Sequence, residues 1–221
     1  MNRSEYLKNA WASIPLFRSV PPAERESLLA CLQAREKRYK KGEFLLHAGD
    51  AAPYFGLVTT GAVRIVKEDW DGGVILLARI EPGELFAEAF AAAGLPLTVS
   101  AQAEAGAAVL WLDYRRVLSP CPSRCPSHAA LAGNLLRILA SKNVFLTGRI
   151  EHLSKKTLRE KVLSYLAEQS IRQGSRHVFL PFDRQGLADY LAVDRSALSA
   201  VLGRLRDEGV LTFRKNEFTL R

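Results

Sequence analysis

Three cysteines in 221 residues form no paired framework, which fits a chain working in a reducing cytoplasm rather than one stapled by disulfides. No apolar run reaches the ~20 residues that a bilayer-spanning helix needs. The N-terminus has no uninterrupted h-region, so neither a membrane partner nor a signal peptide is expected. The signatures of common enzyme chemistry are also missing: there is no phosphate loop, no HExxH and no glycine-flanked nucleophile serine. Acidic residues are in deficit, 23 against 31 Lys and Arg, for a formal charge of +8. The excess gathers late, from Lys155 to Arg221. A polyanion is the natural partner of such a surface, and nucleic acid is the first candidate.

What is present is most legible from Pro181 to Leu220. Asp183 can N-cap a short helix through Leu191, with Leu187, Ala188 and Leu191 as its apolar face. Asp194 can cap a second helix that runs to Glu208 and stops at Gly209. Only Ala192 and Val193 lie between, so the two helices cross steeply in a helix-turn-helix. Leu198, Val201, Leu202 and Leu205 form the inward stripe of the second helix. Its other face carries Arg195, Ser196, Ser199, Ala200, Gly203, Arg204 and Arg206, a basic and hydroxyl-bearing surface suited to a major groove. Val210–Phe213 and Glu217–Leu220 alternate around Arg214, Lys215 and Asn216, a hairpin wing with a basic tip. The alternative is a generic helical pair capped by a hairpin, with a charged surface and no DNA.

Upstream, residues 4–33 have an amphipathic helical pattern (Tyr6, Leu7, Ile14, Leu16, Phe17, Leu28, Leu29, Leu32) broken by Pro15, Pro21 and Pro22. Cys31 sits among leucines as a small apolar residue. From Tyr39 to Leu112 short apolar runs alternate with glycine turns, which predicts a small antiparallel barrel or roll. Gly83–Ala93 interrupts it with a short helix. After a proline-bearing connector, Ser127–Leu153 has almost no breaker. Leu131, Leu135, Ile138, Phe145 and His152 form one seam, with Leu139, Leu146, Ile150 and Leu153 beside it. That apolar band is wider than one domain needs, and predicts a homodimer spine; the alternative is a helix buried within a monomer. Ser154 is placed to cap the next helix, Lys155–Gln173, with Leu158, Val162, Leu163, Leu166 and Ile171 inward. His177–Leu180 gives a short strand. The expected divisions are residues 1–126, 127–153 and 154–221.

The order of these parts resembles the cyclic-AMP receptor protein / fumarate-nitrate reduction regulator (CRP/FNR) superfamily. The matching residues are Lys41-Gly42-Glu43, Gly49-Asp50, Val58 through Gly61, Pro82-Gly83-Glu84-Leu85-Phe86 with Glu88, Asn134-Leu135-Leu136, Arg149-Ile150-Glu151, Arg184-Gln185 with Leu187-Ala188, and Asp194 through Ser199. The resemblance implies an α+β chain: an N-terminal antiparallel β-roll of the cyclic-nucleotide-binding, jelly-roll kind, a long dimerisation helix and a C-terminal winged helix-turn-helix. It implies a dimeric bacterial transcription factor that senses an effector in its roll and, if an activator, meets RNA polymerase.

The departures bear on the effector. Cyclic-nucleotide binders of the family carry Gly-Glu for the ribose and Arg-Ser/Thr for the cyclic phosphate. Here Ala87-Glu88 and Leu97-Thr98 stand in those places, so the phosphate loses its bidentate partner. An effector pocket around Phe86, Glu88, Leu97 and Thr98 is therefore not expected to take cyclic AMP. An iron–sulfur cluster is not expected, since Cys31 alone precedes the connector. Haem is not expected either, since His47, His128, His152 and His177 follow no specific ligand pattern. Cys121, Cys125 and His128 have a spacing that suits a soft metal or a redox-sensitive dithiol, with Arg124 favouring the thiolate. A plain proline-rich turn is the alternative. The cofactor is left unknown.

On the DNA side, the resemblance maps base reading to Arg195, Ser196 and Ala200. Many relatives have glutamate where Ser196 stands and arginine where Ala200 stands, so the site should differ from the familiar half-site or be read more loosely. Arg195 suits a guanine edge, Ser199 a range of base edges and Ala200 a thymine methyl. Arg184, Gln185, Arg204, Arg214 and Lys215 complete the candidate surface, with Arg184, Gln185 and the wing placed for phosphates. A two-fold dimer predicts a near-palindromic site. The competing function is an effector-independent, architectural DNA binder of the same fold.

Overall fold

The structure, a computed structural model, describes residues 13–119 and 126–221. The expectations for Tyr6, Leu7, Cys121 and Cys125 fall outside those residues. Contacts gather the chain into two units, Met1–Ala140 and Ser141–Arg221.

In the first unit, two 3-10 turns, Pro15–Phe17 and Pro22–Glu24, begin on proline, whose missing N–H goes unused at a helix start. Helix α1 (Arg25–Cys31) follows. The strands are β1 (Arg35–Tyr39), β2 (Phe44–Leu46), β3 (Tyr54–Thr60), β4 (Val63–Glu68), β5 (Val74–Ile80), β6 (Leu85–Phe86), β7 (Ser100–Ala103) and β8 (Ala107–Asp113). They form two antiparallel sheets, ordered β1-β8-β3-β6 and β2-β7-β4-β5, the roll that the glycine spacing predicts. β3 and β8 carry unbroken buried stretches rather than alternation. The reason is burial on both faces. Phe55, Leu57, Leu110 and Leu112 pack with Leu16, Phe17, Leu28, Leu131 and Leu135. Val58 and Val109 pack with Val63, Phe86 and Ala101 inside the roll.

Gly56 makes that interior possible. It pairs with Phe86 across β3 and β6, and a Cβ on it would lie 2.3 Å from the Phe86 ring. β5 is a surprise. It is an edge strand whose Val74, Ile75, Leu76 and Leu77 are all exposed, and Trp70 at the tip of its hairpin is 93 % exposed. Helix α2 (Glu88–Ala93) interrupts the roll as expected, and α3 (Tyr114–Leu118) is capped by Asp113, which accepts from Arg115 N–H.

Helix α4 (Pro126–Leu153) is the long helix. Leu131 and Leu135 lie in the first core, and Ile138 and Leu139 pack against it. Asn134 is buried and donates to the carbonyls of Leu16 (3.0 Å) and Arg18 (2.6 Å), fastening the N-terminal segment to the helix. Leu136, Val144, Phe145, Leu146 and Ile150 remain exposed. The single expected seam therefore divides: Leu131 and Leu135 are buried, whereas Phe145 is not.

In the second unit, α5 (Leu158–Gln173) is capped by Thr157, not Ser154. Thr157 accepts from Glu160 N–H, and Glu160 accepts in return from Thr157 N–H. This capping box satisfies two donors reciprocally, which Ser154 cannot do without an acid three residues on; Ser154 donates instead to the Glu151 carbonyl. Ile171, expected inward, is 82 % exposed. It lies five residues past Leu166, about 140° around the helix from that buried position. Then come β9 (His177–Phe179), α6 (Arg184–Leu191), α7 (Arg195–Asp207), β10 (Leu211–Arg214) and β11 (Glu217–Leu220), the strands ordered β10-β11-β9.

Replacing Gly56 with alanine drives a methyl into the Phe86 ring. Gly56→Ala is expected to destabilise the first unit by about 1–3 kcal/mol, read from denaturant midpoints at unchanged slope.

Candidate nucleic-acid interface

Both helices of the helix-turn-helix start where the sequence places them. Asp183 accepts from Gly186 N–H (2.7 Å), and Asp194 accepts from the N–H groups of Ser196 (2.8 Å) and Ala197 (3.0 Å). Ala192 ends α6 in the left-handed region, φ 51°. Its N–H reaches the Asp189 carbonyl and that of Val193 the Ala188 carbonyl, closing the turn in two residues. Ala188 is fully buried where α6 and α7 meet. Leu198, Val201, Leu202 and Leu205 share one core with Leu187, Leu191, Leu166 and Phe218. That burial fixes the rotation of α7 and turns Arg195, Ser196, Ser199, Ala200, Arg204 and Arg206 outward.

These outward residues differ in how free they are. The side chains of Arg195, Arg204, Arg214 and Lys215 make no hydrogen bond or ion pair among the described residues. Ser196 is committed, its hydroxyl donating to the Asp194 carboxylate. Ser199 donates to the Arg195 carbonyl at 2.9 Å. Gln185 donates to Asp189 at 2.8 Å. Arg206 is spent on Asp207 at 3.1 Å. So of the three residues mapped to base reading, Arg195 alone presents uncommitted donors.

Arg184, expected at a phosphate, is half-buried beside the wing. Its guanidinium lies 5.0 Å from the Phe213 ring and 5.6 Å from that of Phe218, and it donates to the Lys215 carbonyl at 3.4 Å. Burial holds it below the usual arginine range, and the nearby charge of Arg195 adds to this. Arg184 thus fastens α6 to the wing. Asn216 holds the wing from the other side, donating to the Leu180 carbonyl at 3.0 Å. Lys215 takes the left-handed conformation at the tip, φ 54°.

Two residues of α4 support this assembly, and their partners are not visible in the sequence. Arg149 donates to the carbonyls of Tyr190 (3.1 Å) and Asp189 (3.3 Å) at the C-terminal end of α6, where a cation is favoured. His152, expected in one seam with Leu131, Leu135, Ile138 and Phe145, is 2 % exposed. Its Nε2 lies 2.7 Å from a Glu168 carboxylate oxygen and its Nδ1 2.9 Å from the Ser164 hydroxyl. The motif Arg149-Ile150-Glu151 is the only sequence signal for either.

In the first unit the candidate effector residues lie around the start of α2 and the loop before β7. Ala87 sits at φ 63°, ψ 0°, a left-handed conformation that costs a residue with a Cβ about 1–2 kcal/mol. Glu88 and Phe86 are buried, Leu97 is 4 % exposed, and Thr98 is exposed. A buried leucine offers a phosphate no hydrogen bond. His128 is buried at the start of α4, its Nε2 on the Arg116 carbonyl and its Nδ1 3.9 Å from the Cys31 sulfur. Cys31 is half-buried rather than enclosed. Cys121 and Cys125 lie outside the described residues.

A β-roll followed by a long helix and a winged helix-turn-helix defines a class of DNA-binding regulators. Residues 36–121 match the cyclic nucleotide-binding domain model, and residues 160–221 match the Crp-like helix-turn-helix domain model. The chain belongs to the CRP/FNR superfamily of transcriptional regulators. It is 29 % identical over 200 residues to the cyclic AMP receptor protein of Thermus thermophilus, covering 89 % of this chain and 88 % of that one. It is 28 % identical over 177 residues to the nitrogen fixation regulation protein FixK of Rhizobium meliloti, covering 80 % and 77 %. The solved structure of CprK complexed with OCPA shares the fold at TM-score 0.64 and 16 % identity, with 88 % and 89 % of the two chains covered.

Acid should loosen the start of α7 at its cap. The Ser196 hydroxyl and the N–H groups of Ala197 and Ser196 hold the Asp194 carboxylate below its ordinary range. Its folded pKa is therefore below its unfolded one. The stability it contributes is present above the unfolded value, about 3.9, and is lost as pH falls through the folded value. Thermal melts followed by circular dichroism should show Tm falling below about pH 4. Asp194→Asn should start lower at neutral pH and fall less steeply.

Proposed function

We propose that the chain is a homodimeric, sequence-specific transcriptional regulator whose roll takes an effector other than a cyclic nucleotide. The observation that carries the DNA part is Arg195: an exposed, uncommitted guanidinium on the first turn of α7, with Lys215 and Arg214 at the wing tip. Arginine in that place pairs bidentately with guanine, and the wing tip meets phosphates. Such a protein acts where the chromosome is, in the bacterial cytoplasm. If it activates transcription, RNA polymerase is its further partner.

Dimerisation is supported by α4. Leu136, Leu139, Asn143, Leu146, Ile150 and Leu153 alternate in steps of three and four, the spacing of a coiled-coil seam. Leu136 and Ile150 stay exposed, at 68 % and 66 %. A second copy of α4 is the partner such a stripe fits. The case against a cyclic nucleotide rests on Leu97, buried where the phosphate would need an arginine. The name of the Thermus thermophilus relative points the other way, and micromolar binding of cyclic AMP in a calorimeter would overturn this part.

A second reading has its own support. With Ser196 and Ser199 bonded within α7 and Ala200 offering only a methyl, sequence discrimination rests heavily on one arginine. That favours an architectural DNA binder. Selection of random duplexes by the ligand-free protein separates the two. A near-palindrome with half-sites about 34 Å apart supports the regulator. Salt-sensitive binding with no enriched sequence, unchanged when small molecules from cells are added, supports the architectural reading.

Arg195→Gln is expected to cost about 1–3 kcal/mol at one base pair of each half-site and to relax specificity there. Lys215→Gln should weaken binding to all sequences alike and lower the slope of log K against log salt by about 1 per phosphate contact. Ile150→Glu is expected to yield monomers in sedimentation, with the melting of the second unit preserved.

A further inference from the structure

The inward face of the roll ends in charge. Arg35, Lys37 and Tyr39 alternate onto one face of β1. Tyr39 belongs to the buried cluster inside the roll, so the two cations follow it along the inward face toward the mouth. Arg35 pairs with Trp111 across β8, and Lys37 with Val109, itself part of the interior. Arg35, Lys37, Tyr39 and Trp111 line a cavity of about 520 Å³ together with Leu46 and Pro53, and Glu36, Asp113 and Arg116 also border it. Cavities of about 300–1,000 Å³ are the size that takes small molecules.

The charges around it are unevenly matched. Asp113 caps α3 and lies 3.9 Å from Arg116. Glu36 accepts from the Thr59 hydroxyl at 3.2 Å. The side chain of Arg35 makes no hydrogen bond or ion pair among the described residues. The Lys37 ammonium has the Tyr39 ring beneath it at 4.6 Å and no acidic partner among them. The wall between is aromatic and rigid: Trp111 donates to the Tyr39 hydroxyl at 2.9 Å and stands edge-on to Phe86. None of Phe86, Glu88, Leu97 and Thr98 lines this space.

We propose that this cavity binds a small amphipathic carboxylate. Its apolar, ring-sized body lies against Trp111 and Leu46, and its carboxylate is held between Arg35 and Lys37. Arginine matches a carboxylate through two parallel N–H donors, and the lysine adds a point charge. An apolar wall selects for the body, and two unneutralised cations select for the anion. The proposal rests on the roll being a sensing domain, but it locates the ligand at the β1–β8 mouth rather than at the cassette.

The test is titration calorimetry of the full chain with 1-naphthylacetate and with 1-naphthylacetamide, which differ in charge and little else. The acid is expected to bind, and the amide about tenfold or more weakly. The double variant Arg35→Gln/Lys37→Gln should lose that preference while keeping the parent Tm, since both side chains are exposed. Equal affinity for acid and amide, no heat with either at millimolar ligand, or a preference unchanged in the double variant would each overturn the proposal. Duplex selection on the same preparation keeps the two ideas apart. An enriched palindrome with no carboxylate binding removes the cavity proposal and leaves the regulator. Carboxylate binding with the expected charge preference, but no DNA binding either with the naphthylacetate or with small molecules from cells added, does the reverse.

Discussion

One uninterrupted helix, Pro126–Leu153, contributes side chains to both units, and each set of contacts fixes its own stretch of the helix. Near the start, Leu131 and Leu135 are buried and Asn134 is bonded to two carbonyls of the N-terminal segment. Near the end, Arg149 closes α6 and His152 is buried between Glu168 and Ser164. A shift of one residue would rotate either set by about 100° and break it. What remains after both are satisfied is the stripe with Leu136, Leu146 and Ile150, apolar and exposed. The breadth of the apolar band in the sequence thus has a definite cause: the helix serves more than one surface.

The parts legible in the sequence are those set by local chemistry. Asp183 and Asp194 cap α6 and α7 because a carboxylate before a helical run satisfies orphan N–H groups wherever it occurs. The roll was legible from glycine spacing, since turns that need a positive φ leave glycines behind. The helix-turn-helix followed from a two-residue turn and a small contact residue. The sequence is ambiguous where two candidates compete or where partners are remote. Ser154 and Thr157 both suit a cap, and the choice depended on Glu160. Arg184 and Arg214 look alike in sequence, yet one stacks on the wing aromatics and the other projects. Val74–Leu77 are exposed on both faces of the edge strand β5, which strand composition does not encode.

The cassette separates backbone from chemistry. Ala87 holds the left-handed turn into α2 without glycine. The surrounding hydrogen bonds, Gly49 N–H to the Leu97 carbonyl and Leu97 N–H to the Asp50 carbonyl, keep the opposing loop in place. These bonds hold the loop around Leu97, whose buried side chain carries no hydrogen-bond donor. Residues 36–121 match the cyclic nucleotide-binding domain model all the same, so the backbone frame and the side chains it presents are separate matters.

Arg184 ties the wing to α6 through Phe213, Phe218 and the Lys215 carbonyl, and Asn216 ties it to Leu180. A hairpin held from two sides has already surrendered its conformational freedom before any duplex arrives. Ordering a loose loop on contact costs about 0.5–1.5 kcal/mol for each flexible side chain immobilised. Here that cost falls on folding instead, so the wing is a finished surface before any partner meets it.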